Sequence, residues 1–395
     1  MCFYILHVAS YCQGKEEGLR MSYSADFAVV GAGVVGASIA YGLLKRGYSV
    51  ILLDGEKTDP RASGANFGLV WVQGKGPNVP AYQTLTRTSS DAWPEFAAEL
   101  ADAAKDMGDT LAYERNGGLT FTFGEDGFQE RKNLLNRLHN ERGADGDDIE
   151  MISRADVQRL LPEFELGEEV SGASFCWRDG CVNPLRLHSL LLQAVTRLNG
   201  TILLGARVRS CSNSKGPSWC LTTDRGEVFA DHVVAAAGLS AKELAKQLNL
   251  DVPVRPQRGQ VIVSQRMPKV LRLPASTLRQ TADGTFLVGA TKEDVGFDEG
   301  TSLSAAKQLA QNALRITPML KDINVVRHWA GLRVMTPDGA PIYDFNDGAS
   351  AAACHSGITL APVHANLFVD RILGVGDEFN LDAFAPDRFS KTAIA

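Results

Sequence analysis

Apolar runs and their spacing divide the chain into short segments. An apolar run from Phe27 to Val30 leads into Gly31, Gly33 and Gly36. Residues 34–46 then carry apolar side chains at helical spacing and end at Gly47. A second apolar run, Ser49 to Leu53, closes on Asp54. This order predicts strand, tight turn, helix, strand. Further on, residues 81–106 predict a helix with Trp93, Phe96 and Leu100 turned to a core. Residues 118–123 alternate as a strand, 127–141 predict a charged, exposed helix, and 153–161 a short helix capped by Ser153. Residues 172–175 and 201–204 predict strands, and Asn183-Pro184 opens a helix that runs to Leu198. The strand expected over 226–238 ends on small residues at Gly238. Residues 255–265 alternate, a hairpin is expected at Ala282-Asp-Gly284, and helices are expected over 303–315 and 363–373. No repeat or low-complexity linker separates these segments, so the domains are expected to interleave rather than follow in series.

The glycines of the first unit stand in the order G-x-G-x-x-G, the pattern of a dinucleotide-binding turn. Gly31 permits the sharp exit from the strand, Gly33 lets backbone approach a pyrophosphate, and Gly36 lets helix pack on sheet. The helix N-terminus, Val35 included, then turns free N–H groups toward phosphate charge. Asp54 lies 18 residues after Gly36, close to the spacing of roughly 20 expected for a carboxylate that accepts ribose hydroxyls. The motif alone does not separate FAD from NAD. The following stretch, Arg61 to Leu69, is rich in small residues and offers Ser63 and Asn66 as hydrogen-bonding side chains. It suits either a planar ligand or a plain glycine-rich loop.

Composition narrows the class. A chain of 395 residues with 45% hydrophobic and 22% charged residues has room for two domains and a large core. A net charge of −6 gives no nucleic-acid surface. No apolar run reaches the roughly 18 residues that span a membrane. The seven cysteines are scattered and form no C-x-x-C pair, which argues for a reducing compartment and against a metal or iron–sulfur site within this chain. Residues 1–20 make a poor signal peptide: the apolar part is short, no basic residue precedes it and no clear cleavage site ends it. Met21 stands at a natural start for the fold, so residues 1–20 are expected to be an extension without function.

Eight motifs in order carry a resemblance that spans Asp26 to about Pro386. They are GAGVVG at Gly31, ASGANFG at Ala62, DGCVNP at Asp179, GARV at Gly205, VVAAAG at Val233, RGQ at Arg258, WAGLR at Trp329 and HSGITLAP at His355. In these the chain resembles the D-amino-acid oxidase family of flavoproteins, which includes glycine and sarcosine oxidases. The resemblance implies an α/β fold: a Rossmann-like FAD-binding domain interleaved with a smaller α+β substrate domain built on an antiparallel sheet. The FAD domain is expected from residues 21–95, 165–250 and 333–395, and the substrate domain from 96–164 and 251–332. The cofactor implied is FAD. Its adenine would lie near Val208, its ribose on Asp54 and its pyrophosphate at Gly31, Gly33, Val35 and Gly36. Its flavin ring would lie beside Ser63, Asn66, Phe67 and Gly68, with Ala237, Gly238 and Gly331 as further backbone approaches. Gly357, Ile358, Thr359 and Leu360 would meet the pyrimidine end. Asp54 is shorter than the Glu commoner at this place.

Within the same resemblance, Arg333 of the GLR segment is the residue that grips a substrate carboxylate. A planar fork of N–H donors suits two carboxylate oxygens; the bland alternative is an arginine at a sheet end in a salt bridge. His355 departs from the family pattern, because glycine oxidase-like members carry an Arg in a longer G-H-x-R-N-G run. The HSG-x-TLAP form is similar to the FAD subunits of opine (octopine and nopaline) and D-hydroxyproline dehydrogenases. His355 is therefore expected either to act at the reacting centre or to hold backbone near the flavin. Sarcosine oxidase-like members attach flavin through a Cys before the T-P-D turn. Here Val334-Met335 precede Thr336-Pro-Asp338, so FAD is expected to be noncovalent, with Cys354 a packing residue.

The reaction implied is oxidation of a secondary-amine, amino or imino acid by hydride transfer from the carbon beside the carboxylate to flavin N5. The chain would serve as catalytic subunit of a heteromeric dehydrogenase, together with a small iron–sulfur protein and a second flavin-fold subunit. The alternatives are a self-contained oxidase of glycine, sarcosine or D-amino acids that releases peroxide, and a non-catalytic flavoprotein that relays electrons. A cytoplasmic location is expected, peripheral to the inner membrane only where an electron acceptor brings it there.

Overall fold

A computed structural model describes residues 22–57, 61–103, 111–142, 148–213, 218–376 and 379–390. The expected extension over residues 1–20 lies outside the described residues. Strand β1 (Ser22–Val30), helix α1 (Val34–Lys45) and strand β2 (Val50–Asp54) form in the expected order. The strands pair in parallel, with Phe27 opposite Val50 and Val30 opposite Leu53. Both faces of this pair are covered, so its residues read as continuous apolar runs rather than an alternation.

The main sheet continues on both sides. On one side β1 pairs in parallel with Gly226–Ala235, which pairs in parallel with Ala349–Ala353. On the other, β2 pairs in parallel with Thr201–Leu204. Antiparallel strands finish the sheet: Ile342–Asn346 on Ala349–Ala353, and Trp219–Thr223 with Val208–Asn213 beside Gly226–Ala235. One face is covered by α1, the helices Pro80–Ala103 and Pro184–Arg197, and the helical run from Ala361. Trp93, Phe96 and Leu100 are buried there as expected, and Trp93 stacks on Tyr113 at 5.0 Å. Asn183 caps its helix by accepting from Leu185 N and Arg186 N. The opposite face holds a second core around Leu244, Leu248 and Val334.

The antiparallel part is split into two sheets rather than the single one expected. One is ordered Leu278–Gln280, Thr285–Gly289, Arg255–Arg266, Val325–Met335. The other places Val170–Cys176 between Gly118–Phe123 and Ile149–Ser153. Both contribute to one core that includes Leu119, Phe164, Phe286 and Leu309, so a shared apolar layer, not a shared ladder, joins them. Ser153 caps the helix Arg154–Leu160 in a capping box with Asp156. Two further differences are local. The loop after β2 contains one helical turn, Arg61–Gly64, and a short strand, Leu69–Val70. The last long helix starts at Ala361 and includes a π-helical turn, His364–Phe368, before Val369–Leu373.

Candidate active site

The turn between β1 and α1 is held by contacts that leave no room for side chains. Gly31 has a φ of +110°, and a Cβ there would lie 2.3 Å from the Ala236 carbonyl oxygen. A Cβ on Gly36 would lie 1.8 Å from the Gly31 carbonyl oxygen. At Gly33 the situation is different, since such an atom would meet only Ser63 Oγ, at 3.1 Å. This is the open approach that a pyrophosphate needs. The Ser63 hydroxyl accepts from Val34 N at 2.9 Å, occupying one of the free donors at the start of α1. Asp54 accepts from Ala32 N through Oδ2 and from Glu56 N through Oδ1, each at 2.9 Å. Its carboxylate is thereby fixed at the carboxyl end of β2, where a dinucleotide ribose lies in folds of this type.

The other expected segments converge on the same edge. Ala236 N donates to Val30 O at 2.8 Å, which brings Ala237 and Gly238 beside Gly31. Val208 follows Arg207, which pairs with Glu56 at 2.5 Å, while Ala206 N donates to Asp54 O. Asn66 Oδ1 accepts from Gly68 N, and Phe67 lies against Gly289, where a Cβ would be 3.2 Å from its ring. A Cβ on Gly331 would be 2.4 Å from Ala65 Cβ, so the strand Val325–Met335 runs close over this loop. Trp329 Nε1 donates to Ala65 O across the same contact. At Gly357 a Cβ would lie 3.0 Å from Val35 Cγ2, which puts the turn after Ala349–Ala353 at the start of α1. Thr359 ties that turn down. Its carbonyl accepts from Ser89 Oγ and Trp93 Nε1, and its hydroxyl accepts from Trp71 N. Ile358 and Leu360 are buried. The glycine-rich turn, Asp54, the loop after β2 and the turn at Gly357 thus come together at the carboxyl end of the parallel strands, and Gly33, where a Cβ would meet only Ser63 Oγ, leaves room there for a pyrophosphate.

Arg333 stands opposite Gln257 in the long antiparallel pair, and Gly259 faces Gly331. A Cβ on Gly259 would come within 2.5 Å of Arg333 Nη2, so the glycine of the RGQ motif clears space for this guanidinium. Arg333 donates to Thr291 O at 2.7 Å and to Arg258 O at 3.3 Å. Among the described residues it forms no salt bridge, unlike Arg258, which pairs with Glu293 and Asp298. Burial lowers the Arg333 pKa, partly countered by Glu293.

His355 lies within electrostatic reach of Arg333. Burial, and then the charges of Lys75, Arg333 and Lys292, push its pKa down to about 3. The ring is neutral at physiological pH. Lys75 donates to Ser356 Oγ at 2.6 Å, and burial pulls its pKa down to about 8. Beside it, Asp179 is fully buried and accepts from Val72 N and Gln73 Nε2; burial raises its pKa to about 7. Cys354 is buried and burial raises its pKa to about 12, in keeping with a thiol that packs and does not react. Sequence reading missed Lys75, Lys292 and His188, whose Nε2 lies 2.6 Å from Ala32 O. Lys75 and Lys292 sit in loops with no periodicity, and nothing local in the sequence links them to Arg333.

A family described as DAO, FAD dependent oxidoreductase, matches residues 26–371. An opine oxidase subunit of Agrobacterium tumefaciens (strain Ach5) is 36% identical over 370 residues, covering 93% of this chain and 98% of that protein. Its counterpart from Rhizobium meliloti is 34% identical over the same share of both chains. Among solved structures, glycine oxidase from Geobacillus kaustophilus superposes with a TM-score of 0.81 at 25% identity, covering 92% of this chain and 98% of that one. The glycine-rich turn, the fixed carboxylate and these matches lead to one conclusion: the chain belongs to the DAO family of FAD-dependent oxidoreductases.

Proposed function

We propose that this protein oxidises a secondary amine or imino acid at the C–H bond between nitrogen and a carboxylate. The observation that carries the reading is Arg333: a half-buried guanidinium with no acidic partner among the described residues, beside a neutral His355. A guanidinium has five N–H donors, and two of those of Arg333 are taken by Thr291 O and Arg258 O. The rest match a carboxylate in the bidentate geometry that arginine favours.

The residues proposed to hold FAD are Gly31, Gly33, Val35, Gly36 and Asp54 at the pyrophosphate and ribose, with Val208 toward the adenine. Ser63, Asn66, Phe67, Gly68, Ala237, Gly238, Gly331 and the run Gly357 to Leu360 are proposed to line the ring. The adjoining division into FAD and substrate domains is part of the same proposal. FAD supplies a two-electron acceptor when bound; the chain supplies position and charge. Arg333 fixes the carboxylate and with it the neighbouring C–H. The surrounding Lys75, Lys292 and Arg333 disfavour a protonated amine, so the nitrogen lone pair stays free to stabilise the forming imine. His355, neutral at physiological pH, accepts a hydrogen bond from the amine without adding charge.

We further propose that the chain works as one subunit of a larger enzyme. The 36% identity to a protein named as a subunit of an opine oxidase supports this. In that enzyme electrons would leave the flavin through a partner such as an iron–sulfur subunit with a second flavin-fold chain; among the described residues no group of three or more His, Cys, Asp or Glu residues is arranged to hold a metal. No described helix is long and apolar enough to cross a membrane, and a cytoplasmic site of action is part of the proposal. The test mixes the FAD-loaded chain anaerobically with opines, D-hydroxyproline, sarcosine and glycine. Bleaching of the flavin by the opine-type or cyclic amines supports the reading. Bleaching by glycine alone, with fast peroxide release in air, restores a self-contained oxidase.

A further inference from the structure

Ala32, in the glycine-rich turn, is held at both of its peptide groups. Its N–H donates to Asp54 Oδ2 at 2.9 Å. Its carbonyl oxygen lies 2.6 Å from His188 Nε2. A carbonyl oxygen only accepts, so Nε2 carries the proton. His188 belongs to the helix Pro184–Arg197, whose start is fixed by the Asn183 cap. Leu187, Leu190 and Leu191 of that helix are buried in one core with Ala32 and α1. The bond therefore joins a packed helix to the turn across 156 residues of chain. The amides on either side are occupied as well. Gly31 N donates to Leu53 O at 2.7 Å and Val34 N to Ser63 Oγ at 2.9 Å. Between them, Gly33 N–H has no partner among the described residues.

In a trans peptide the carbonyl and the N–H point opposite ways. With Ala32 O drawn to His188, Gly33 N–H faces away from the helix that carries the histidine. The reverse orientation is sterically cheap at this place. A flip of the Ala32–Gly33 peptide changes only ψ of Ala32 and φ of Gly33, and glycine accepts either sign of φ. A flipped peptide would set a carbonyl oxygen against a pyrophosphate where an N–H donor is needed. The missing side chain that admits the pyrophosphate thus also leaves the peptide free to turn the wrong way. We propose that His188 is a positioning residue for FAD: its Nε2–H bond to Ala32 O holds the peptide in the orientation that offers Gly33 N–H to the pyrophosphate. This rests on the placement of the pyrophosphate at Gly31 to Gly36.

The experiment reads the FAD dissociation constant from the rise in flavin fluorescence as the loaded protein is diluted. It compares wild type with His188→Phe, His188→Ala, His188→Gln and Gly33→Ala. His188→Phe keeps a ring but has no donor, and it is expected to weaken FAD binding by about tenfold to a hundredfold, the range for a hydrogen bond to a charged group. His188→Ala is expected to lose as much. His188→Gln keeps an N–H donor of similar reach and is expected to stay within about threefold of wild type. A packing role would give the reverse order, sparing His188→Phe and penalising His188→Gln. FAD binding by His188→Phe within about twofold of wild type overturns the proposal, as does a His188→Gln protein as weak as His188→Phe. If His188→Phe does not fold, His188→Ala takes its place in the same comparison. Gly33→Ala tests the placement beneath the proposal, since its Cβ would meet only Ser63 Oγ at 3.1 Å and would narrow the approach for the pyrophosphate. Its FAD binding is expected to fall. Wild-type binding by Gly33→Ala overturns that placement instead, whatever the histidine variants do.

Discussion

Removing the Arg333 guanidinium isolates its contribution from that of the fold. In Arg333→Ala a bound carboxylate would lose its bidentate partner. Leaving a desolvated charge unpaired costs about 2–5 kcal/mol, or roughly 30-fold to several thousandfold in apparent substrate binding. The fold should tolerate the change. Arg333 donates only to Thr291 O and Arg258 O, and Arg258 O also accepts from Glu293 N at 3.0 Å. The space that Gly259 clears for the guanidinium would become a small polar void that water can enter. FAD content should therefore match wild type. Arg333→Lys keeps the charge but not the planar fork and should recover only part of the loss. The assay is anaerobic titration of flavin reduction against substrate concentration, with FAD content measured on the same samples. Near-normal half-saturation and reduction rate in a fully loaded Arg333→Ala protein would refute the assignment.

Other outcomes follow from the same geometry. FAD should be released on acid precipitation, leaving a colourless pellet, because Val334-Met335 offer no thiol before the Thr336 turn; flavin that stays with the pellet contradicts this. Asp54→Asn replaces one of two acceptors fixed by Ala32 N and Glu56 N and should weaken FAD binding by about 1–3 kcal/mol in apoprotein reconstitution. Gly36→Ala forces a Cβ to within 1.8 Å of the Gly31 carbonyl and should lower stability by about 3 kcal/mol, read from the urea midpoint. Burial holds His355 and His364 down to about 3 and His232 to about 4. The unfolded chain takes up these protons first, so their stability is present above pH 6.5 or so and is lost on acidification toward pH 3–4. Asp179, raised to about 7, runs the other way: its contribution is present below about 3.8 and lost as pH rises through 7. The three histidines outweigh it between pH 6.5 and 4, and a urea midpoint that rises on acidification over this interval contradicts the assignment.

Local signals made much of this fold legible. The β1–α1–β2 unit was readable because each glycine answers a contact within about thirty residues of chain or a close backbone approach. The caps at Ser153 and Asn183 follow from side chains bonding amides two and three residues on. The division of the antiparallel part into two sheets was not legible. Alternation marks a strand but not its partner, and Val170–Cys176 pairs with two strands that both precede it in sequence. Arg333 and His355 were visible through motifs, whereas Lys75 joins them only because the chain returns across 281 residues to Ser356. The π-helical turn at His364 was hidden for a similar reason: its ring bonds Tyr343 across a packed interface.

The central claim is that the C–H bond beside the carboxylate is the bond that breaks. The direct measurement is the anaerobic rate of flavin reduction by an opine carrying deuterium at each carbon between nitrogen and a carboxylate, against the undeuterated compound. The flavin is expected to bleach with both compounds, with deuterium slowing the reduction several-fold. Rapid reduction with no difference between the two, or a slowing that appears only when deuterium is placed elsewhere in the molecule, would contradict it.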